Sequence, residues 1–397
     1  MLGGAGQHAV VLGNALIDAG HEVHLLGYRN PAAAGEDNGF RGPLHRLIDF
    51  RGARWHEDAF GAFLPMARPH MARRLWQAIS SLAGPWDVVH YHGHNPILGT
   101  LVPASWNFVH TLHDQGAECI TKTRFKVGEV CREREPAACA GCACAQPNAA
   151  QRWLSAQAVQ GLRRASLASF QRHKAIFVSE FLRQRFCDLQ DVAASSIRAE
   201  VLHNFIDPGR LPATSREFQQ EGSSRMTVFA SGRIDASKGF APWLDAIPDA
   251  ALQTMRIVIA GDGPDLAALR QRHQGRGIEF LGWCSKAQVL SQLQSADISV
   301  VPSVWDEPCA TTVLEALALG RTVLALHRGG TPELTSYGEP GQLCLFNSSQ
   351  ELAAATVLAR RCIWPANARA AVQSRLPRLL AVYREGLSAR QVQEVAA

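Results

Sequence analysis

From His8 to Ala19 apolar residues recur at Val10, Val11, Ala15 and Leu16, the spacing of one helical face, and Gly20 ends the run. The glycine-rich segment Gly3-Gly4-Ala5-Gly6 opens it. Short apolar runs follow at Glu22–Gly27, Trp86–Tyr91 and Phe108–Leu112, lengths suited to buried strands, with helices expected between them. A helical stretch over 153–171 leads to two further strand runs, Ala175–Ser179 and Ala199–His203. Residues 208–225 are polar, with prolines and serines and no apolar period, as a linker is. The alternation then restarts: a strand at Met226–Ser231, a helix over 240–247, a strand at Arg256–Ala260, a helix over 265–273. Strands at Ile278–Leu281, Ile298–Val301 and Thr322–Leu326 complete it. Strands alternating with helices predict the α/β class, with two doubly wound, Rossmann-like domains of parallel sheet facing a deep cleft. Their expected bounds are 1–207 and 226–378, and a last helix over 379–397 is expected to pack back on the first domain.

Composition narrows this picture without changing it. A chain of 397 residues exceeds what one core usually serves, and 47% hydrophobic with 19% charged residues is a globular balance. A net charge of +5 and the lack of any basic arm leave no support for nucleic-acid binding. No apolar run approaches the roughly 20 residues of a membrane helix, and the N-terminus lacks the sections of a signal peptide. The cytoplasm is the expected location, with peripheral contact at the inner face of the plasma membrane left open. Most of the ten cysteines read as packing residues, but an insertion at about 119–150 gathers Cys131, Cys139, Cys142 and Cys144, with Cys119 as a spare. Four thiolates suit a tetrahedral structural zinc, against which stand packed thiols and redox pairing.

Two motifs carry chemistry. Ser231-Gly-Arg233-Ile-Asp-Ala-Ser-Lys238-Gly239 lies between an expected strand and an expected helix, so two cations flank a tight turn at a strand's carboxyl end. Arginine holds two oxygens of a diphosphate at once and lysine adds a point charge, with no metal needed. Asp306-Glu307-Pro-Cys-Ala310-Thr311-Thr312-Val-Leu-Glu315 follows another strand and runs into an apolar helix. Glu307 falls in the loop and Glu315 on the helix. The amides of Ala310, Thr311 and Thr312 at the helix start offer donors to an anion or to sugar hydroxyls.

In order and spacing these motifs resemble the family-4 glycosyltransferases, group 1, of the two-domain GT-B type, over nearly the whole chain. The resemblance rests on Gly3-Gly4, Gly20-His-Glu-Val23, Thr111-Leu-His113-Asp114, Val201 to Asp207, Gly232-Arg233 with Lys238-Gly239, Ala260-Gly-Asp-Gly-Pro264, Phe280-Leu-Gly282, Glu307 to Glu315 and Gly329-Gly-Thr-Pro-Glu333. It implies a nucleotide-diphosphate-sugar donor, with Arg233 and Lys238 on its diphosphate, Glu307 on sugar hydroxyls and Glu315 on the ribose. It also implies that Gly3 or Gly4 approaches the diphosphate and acceptor, and that His113 approaches the donor sugar. The implied acceptor is a glycan or a lipid-linked intermediate of cell-surface polysaccharide synthesis, and no cofactor is required.

Family members retain the anomeric configuration, and no carboxylate stands out as the nucleophile of a double displacement, so same-face substitution is expected. No Asp-x-Asp metal motif occurs, in keeping with cationic side chains in place of a divalent ion. Two departures stand out. Only Met1 and Leu2 precede Gly3 where the family has a buried first strand, so a start further upstream is expected. Ala310 stands where a glycine is common, and its methyl narrows the expected sugar pocket. His90, His92 and His94 read either as acceptor-side or as structural groups, His203 as fixing the domain junction, and Trp283 as a packed aromatic or a neighbour of the nucleotide base. A nucleotide-sugar epimerase and a non-catalytic nucleotide-sugar-binding protein remain alternatives.

Overall fold

The structure, a computed structural model, describes residues 4–29, 39–49, 67–142, 146–212, 225–362 and 364–395. The chain divides into two compact units. Unit 1 comprises 1–126, 131–203 and 375–397, and unit 2 comprises 127–130 and 204–374.

Unit 1 begins with α1 (Gly4–Asp18), which buries Val10, Val11, Leu12 and Ala15 on one face. Then come β1 (Leu25–Arg29), β2 (Leu44–Asp49), α2 (Ala67–Ser81), β3 (Val89–His92), α3 (Leu98–Leu101), β4 (Phe108–Leu112) and β5 (Phe125–Lys126). After β6 (Glu129–Val130), which groups with unit 2, come α4 (Ala149–Arg172), β7 (Lys174–Phe177), α5 (Glu180–Gln190) and β8 (Ala199–Val201). A four-stranded parallel sheet runs in the order β3-β4-β7-β8, while β1 and β2 form a separate parallel pair. Every residue of β4 is buried, as expected of a strand covered on both faces. Asn148 and Gln151 close a reciprocal capping box at the start of α4, satisfying two amides that would otherwise have no acceptor.

Several sequence expectations shift here. The first strand begins at Leu25, because Glu22 is exposed and His24 turns to Glu22 and His45, so residues 21–24 stay outside the ladder. The run expected at 86–91 becomes a strand only from Val89 to His92. Ser179, expected in a strand, instead caps α5, its side chain accepting from the Leu182 amide. α2 falls where a helix was expected between the first two strand runs, whereas β2 was not expected.

Unit 2 holds β9 (Met226–Ser231), α6 (Phe240–Asp245), β10 (Met255–Ala260), α7 (Leu266–Arg272), β11 (Ile278–Gly282), α8 (Lys286–Ser295) and β12 (Ile298–Val301). It continues with α9 (Thr311–Ala318), β13 (Thr322–Leu326), β14 (Leu343–Phe346), α10 (Ser349–Leu358) and the start of α11 (Val372–Val395), which belongs to unit 1 from Arg375 onward. All six strands are parallel in the order β11-β10-β9-β12-β13-β14. One face packs Val228, Ala230, Ile257, Ile259 and Val300 against Trp243, Leu244 and Leu352. Trp243 is fully buried, and its indole N–H donates to Thr356 Oγ1 at 3.2 Å, so its polar end is satisfied. The chain progresses outward from β9 through β10 to β11, then returns to β12 on β9's other side and progresses the opposite way. The reversal between β9 and β12 is a topological switch point, and doubly wound sheets bind ligands outside the strands' carboxyl ends there. Of the linker expected at 208–225, Pro208–Arg210 form a short 3-10 turn, and 213–224 lie outside the described residues.

Candidate functional site

Both chemical motifs leave the switch-point strands of unit 2. After β9, Gly232 and Arg233 lead into a 3-10 turn, Ala236–Lys238, capped by Asp235, whose Oδ1 accepts from the Ser237 amide at 3.0 Å. Gly239 closes the turn with φ 67°, and a Cβ there would fall 2.1 Å from the Pro302 carbonyl oxygen. Only glycine lets this turn press against the segment that follows β12. A second close approach braces the first: Gly261, with φ 151°, lies so near that a Cβ would meet the Gly232 oxygen at 1.8 Å. The Ile234 amide donates to the Asp262 carbonyl at 2.9 Å. The Gly-Asp-Gly segment thus holds the cation-bearing turn by backbone contact.

After β12 the loop carries Ser303, Trp305 and Glu307. Glu307 is 9% exposed. Its Oε1 accepts from Ser303 Oγ at 2.8 Å and from Lys238 Nζ, which also lies 5.1 Å from the Trp305 ring centroid, a cation–π spacing. The Gly330 amide donates to the Glu307 carbonyl at 2.7 Å, so the Gly329-Gly330 segment anchors the loop from behind. Among the described residues Arg233 is held by a contact to Asp235, Nε to Oδ2 3.2 Å, with its side chain 71% exposed. It is therefore able to swing onto an incoming anion at little cost.

Ala310 occupies the N-cap of α9, with no side-chain cap, and Thr311 and Thr312 form the first helical positions. Glu315, one turn further on, is buried. Lys286 Nζ donates to its Oε1, while Oε2 is a buried acceptor to which no described group donates. An unmet buried acceptor costs about 1–3 kcal/mol, and a ligand hydroxyl would relieve that cost. Lys286, Ser303 and Trp305 were missed by sequence reasoning. The Ser285 cap before Lys286 reads only as a helix start, and 29 positions separate the lysine from its partner.

Of the remaining candidates, Gly4 is the exposed first residue of α1, and Gly3 lies outside the described residues. His113 follows β4 in unit 1, beside His92 at the end of β3, His92 Nδ1 to His113 Nε2 being 3.1 Å. His8, from α1, packs edge-on to His113 at 4.6 Å between ring centroids. His90 is wedged between Tyr383 Oη and Thr111 Oγ1, each 2.7 Å away, the bonding of a structural group. Burial drives the pKa of His90 down to about 3, with further lowering by His113 and His110, and burial brings His110 to about 4. Burial, then neighbouring imidazoles, likewise hold His8 and His92 well below the usual range. Trp283 is 56% exposed, which removes the packed reading of it.

The cysteine expectation changes in membership. Cys144 lies outside the described residues. Cys139 and Cys142 sit three apart on the 3-10 helix Pro136–Cys142, hence on one face, and Cys119 and Cys131 are near enough to raise the pKa of both. Cys119 therefore joins the group as a member. Among the described residues no three of these sulfurs close to within 4.8 Å of one another, a spacing reached only by ligand atoms of His8, His92 and His113.

Residues 2–210 match the family model described as Glycosyltransferase Family 4, and residues 225–359 the one described as Glycosyl transferases group 1. An uncharacterized glycosyltransferase of Methanocaldococcus jannaschii is 27% identical over 188 residues, which cover 43% of this chain and 46% of that protein. The chain thus spans less than half the length of that relative. The phosphatidyl-myo-inositol mannosyltransferase of Mycolicibacterium smegmatis is 26% identical over 367 residues, 89% of this chain and 80% of the relative. Among solved structures, HepE of Anabaena in complex with UDP and glucose superimposes with a TM-score of 0.56 at 18% identity, covering 90% of this chain and 86% of that one. This likeness is one of fold, and the fold is GT-B.

Proposed function

Because the chain belongs to Glycosyltransferase Family 4, we propose that it transfers a hexose-type sugar from a nucleotide-diphosphate-sugar, with retention and without a metal, to a glycan or lipid-linked acceptor. Cell-surface polysaccharide synthesis is the setting we assign to it. The observation that carries this reading is that Arg233 and Lys238 lie in the loop after β9 and Glu307 in the loop after β12, with Glu315 on the helix α9 that follows, its Oε2 lacking a donor among the described residues.

In this reading Arg233 and Lys238 take the diphosphate, and Lys238 reaches it from its present place on Glu307. Glu307 accepts from donor-sugar hydroxyls. Glu315 Oε2 accepts from the ribose, while Thr311, Thr312 and the backbone at Ala310 line the approach. His113 of unit 1 is assigned to the donor sugar, and Gly3 and Gly4 to the diphosphate and acceptor. As the bond from the anomeric carbon to the diphosphate oxygen breaks, the acceptor hydroxyl oxygen bonds to that carbon from the same face. Its proton passes to the departing diphosphate. Charge grows on that leaving group, so fixed cations beside it stabilise the transition state more than the ground state. Cationic side chains thereby fill the role a divalent ion plays elsewhere. The fit of UDP or GDP to Glu315 is by ribose, which both share.

A thermal-shift screen with UDP, GDP and their common sugar conjugates tests the site, with Arg233→Ala and Lys238→Ala alongside. The expected result is a selective shift lost in both variants. If no nucleotide shifts the wild type, the donor assignment falls; an inverted linkage in the isolated product, read by NMR, would overturn the retaining route.

A further inference from the structure

Three histidines of unit 1 come together from three separate elements: His8 from the middle of α1, His92 from the end of β3 and His113 just past the end of β4. Strands β3 and β4 are hydrogen-bonded neighbours with His92 opposite Thr111, so sheet register fixes His92 and brings the end of β4, which His113 follows, beside it. One ligand atom from each ring lies within 4.8 Å of the other two, and the His92–His113 pair is already at 3.1 Å. Zinc–nitrogen bonds of 2.0–2.1 Å in a tetrahedron put ligand nitrogens roughly 3.4 Å apart. Small ring rotations therefore close the triangle without moving the backbone.

We infer that His8, His92 and His113 form a three-imidazole site for a borderline transition-metal dication such as Zn2+, with the fourth position left to water. This goes beyond the transfer reading and does not rest on it, since every residue in it is argued from the geometry of unit 1 alone.

The chemistry of the donors fits the ion. Imidazole ligates through the lone pair of a neutral ring nitrogen, and each of the three rings offers one such atom to the shared centre. With a metal bound each ring would carry its proton on the nitrogen turned away from it, so binding would replace the hydrogen bond that His92 and His113 now share. His90 packs at a tilt against His92 with centroids 4.1 Å apart and is itself locked by Tyr383 and Thr111. Such outer-shell support fixes the orientation of a ligand ring. Three nitrogens without a carboxylate select copper, nickel, zinc and cobalt over magnesium, calcium or manganese.

Co2+ is the probe of choice, because its spectrum tells nitrogen from thiolate ligands and so separates this site from the cysteines at 119, 131, 139 and 142. The full-length chain, stripped with chelator and dialysed, is titrated with CoCl2 in a non-coordinating buffer. We expect about one ion per chain, visible d–d bands and no thiolate-to-cobalt charge-transfer band. His8→Ala and His92→Ala should each weaken binding more than about 100-fold, beyond the 10–100-fold typical of losing an outer-shell partner. Cu2+ electron paramagnetic resonance of the unmutated chain, expected to show coupling to several nitrogens, keeps the test open if either variant misfolds. The inference is overturned if cobalt binds no more tightly than millimolar, if its spectrum shows thiolate ligation, or if folded His8→Ala and His92→Ala variants bind as the wild type does. Failure of the transfer reading would leave all these results untouched, since none is read through activity.

Discussion

Lys238 and Glu307 form an ion pair across 69 residues of sequence, joining the loop after β9 to the loop after β12. The pair neutralises a buried carboxylate in the protein alone, and in the proposed reading it also holds a cation ready for the diphosphate. Lys238→Ala leaves Glu307 bonded to Ser303 without a counter-charge, which should lower stability by about 1–3 kcal/mol. Transfer should fall about 100- to 1,000-fold, the usual cost of removing one group that meets developing charge. Adding Glu307→Gln to Lys238→Ala should restore the melting temperature but none of the activity. Differential scanning calorimetry with initial-rate kinetics separates the two effects, and a double variant still as unstable as the single one would contradict this division.

Glu315 should matter for the nucleotide more than for the chemistry. Replacing it with alanine removes the partner of Lys286 and, in the proposed reading, the acceptor for the ribose, and nucleotide affinity is expected to fall about 10-fold, about 1.4 kcal/mol, by isothermal titration. Lys286→Ala leaves the carboxylate in place and should weaken binding less. Equal losses from both would mean that the pair acts as one structural unit.

Ala310 tests the narrowed pocket. Its φ of −73° needs no glycine, so Ala310→Gly adds no backbone relief. It removes one buried methyl, worth about 0.8 kcal/mol, and gains slightly in N-cap preference, leaving stability nearly unchanged. The expected change is in the ratio of kcat/KM between donor sugars, measured by competition. An unchanged ratio would show that the methyl does not reach the sugar.

Unit 2 was more legible in the sequence than unit 1, for physical reasons. Its strands are runs such as Arg256–Ala260 and Ile298–Val301, apolar because a parallel sheet is covered on both faces, and the segments after β9 and β12 carry the two motifs. β14 escaped notice because Leu343–Phe346 is four residues long and follows the turn signals Gly338, Pro340 and Gly341. In unit 1 the pair β1–β2 stands apart from the other strands, so alternation there does not predict one continuous sheet. Spacing along the chain reveals partners that share one motif, such as Arg233 and Lys238. It is blind to Lys286 on Glu315, or to His8 beside His113, because those contacts are created by packing. His8 in the sequence is merely a polar position on an amphipathic helix.

The buried histidines predict acid sensitivity. His90 and His110 have folded pKa values of about 3 and about 4, depressed from 6.5, so below pH 6.5 the unfolded chain binds protons that the folded chain refuses. Their contribution to stability is complete above pH 6.5 and is lost as the pH falls toward 4 and then 3. Each group steepens the loss by about 1.4 kcal/mol per pH unit inside its window. Urea unfolding at intervals from pH 7 to 4.5 should show this slope, and His110→Gln should flatten it. A wild-type stability flat over that range would show that these rings are not buried neutral.

The thiols predict the opposite dependence. Cys139 is pushed up to about 11 by burial first and then by Cys119, Cys142 and Cys131, and Cys142 is raised by burial and by Cys119 and Cys131 against the pull of Lys126. The thiolate is the nucleophile, so at pH 8 Cys139 should react with iodoacetamide far more slowly than exposed Cys362, and all ten should react once the chain is unfolded. A folded pKa above the unfolded one means that this contribution is whole below about pH 9 and disappears as the pH rises to about 11. Burial makes the larger share of the rise and the neighbouring sulfurs add to it, and a dication among them would reverse it by holding each as thiolate. The zinc expected from the sequence is therefore tested by the same alkylation, followed by mass spectrometry before and after chelator. If chelator leaves the rates unchanged and the purified chain contains no zinc, Cys119, Cys131, Cys139 and Cys142 are packed thiols; slow alkylation that chelator accelerates identifies a metal-held cluster.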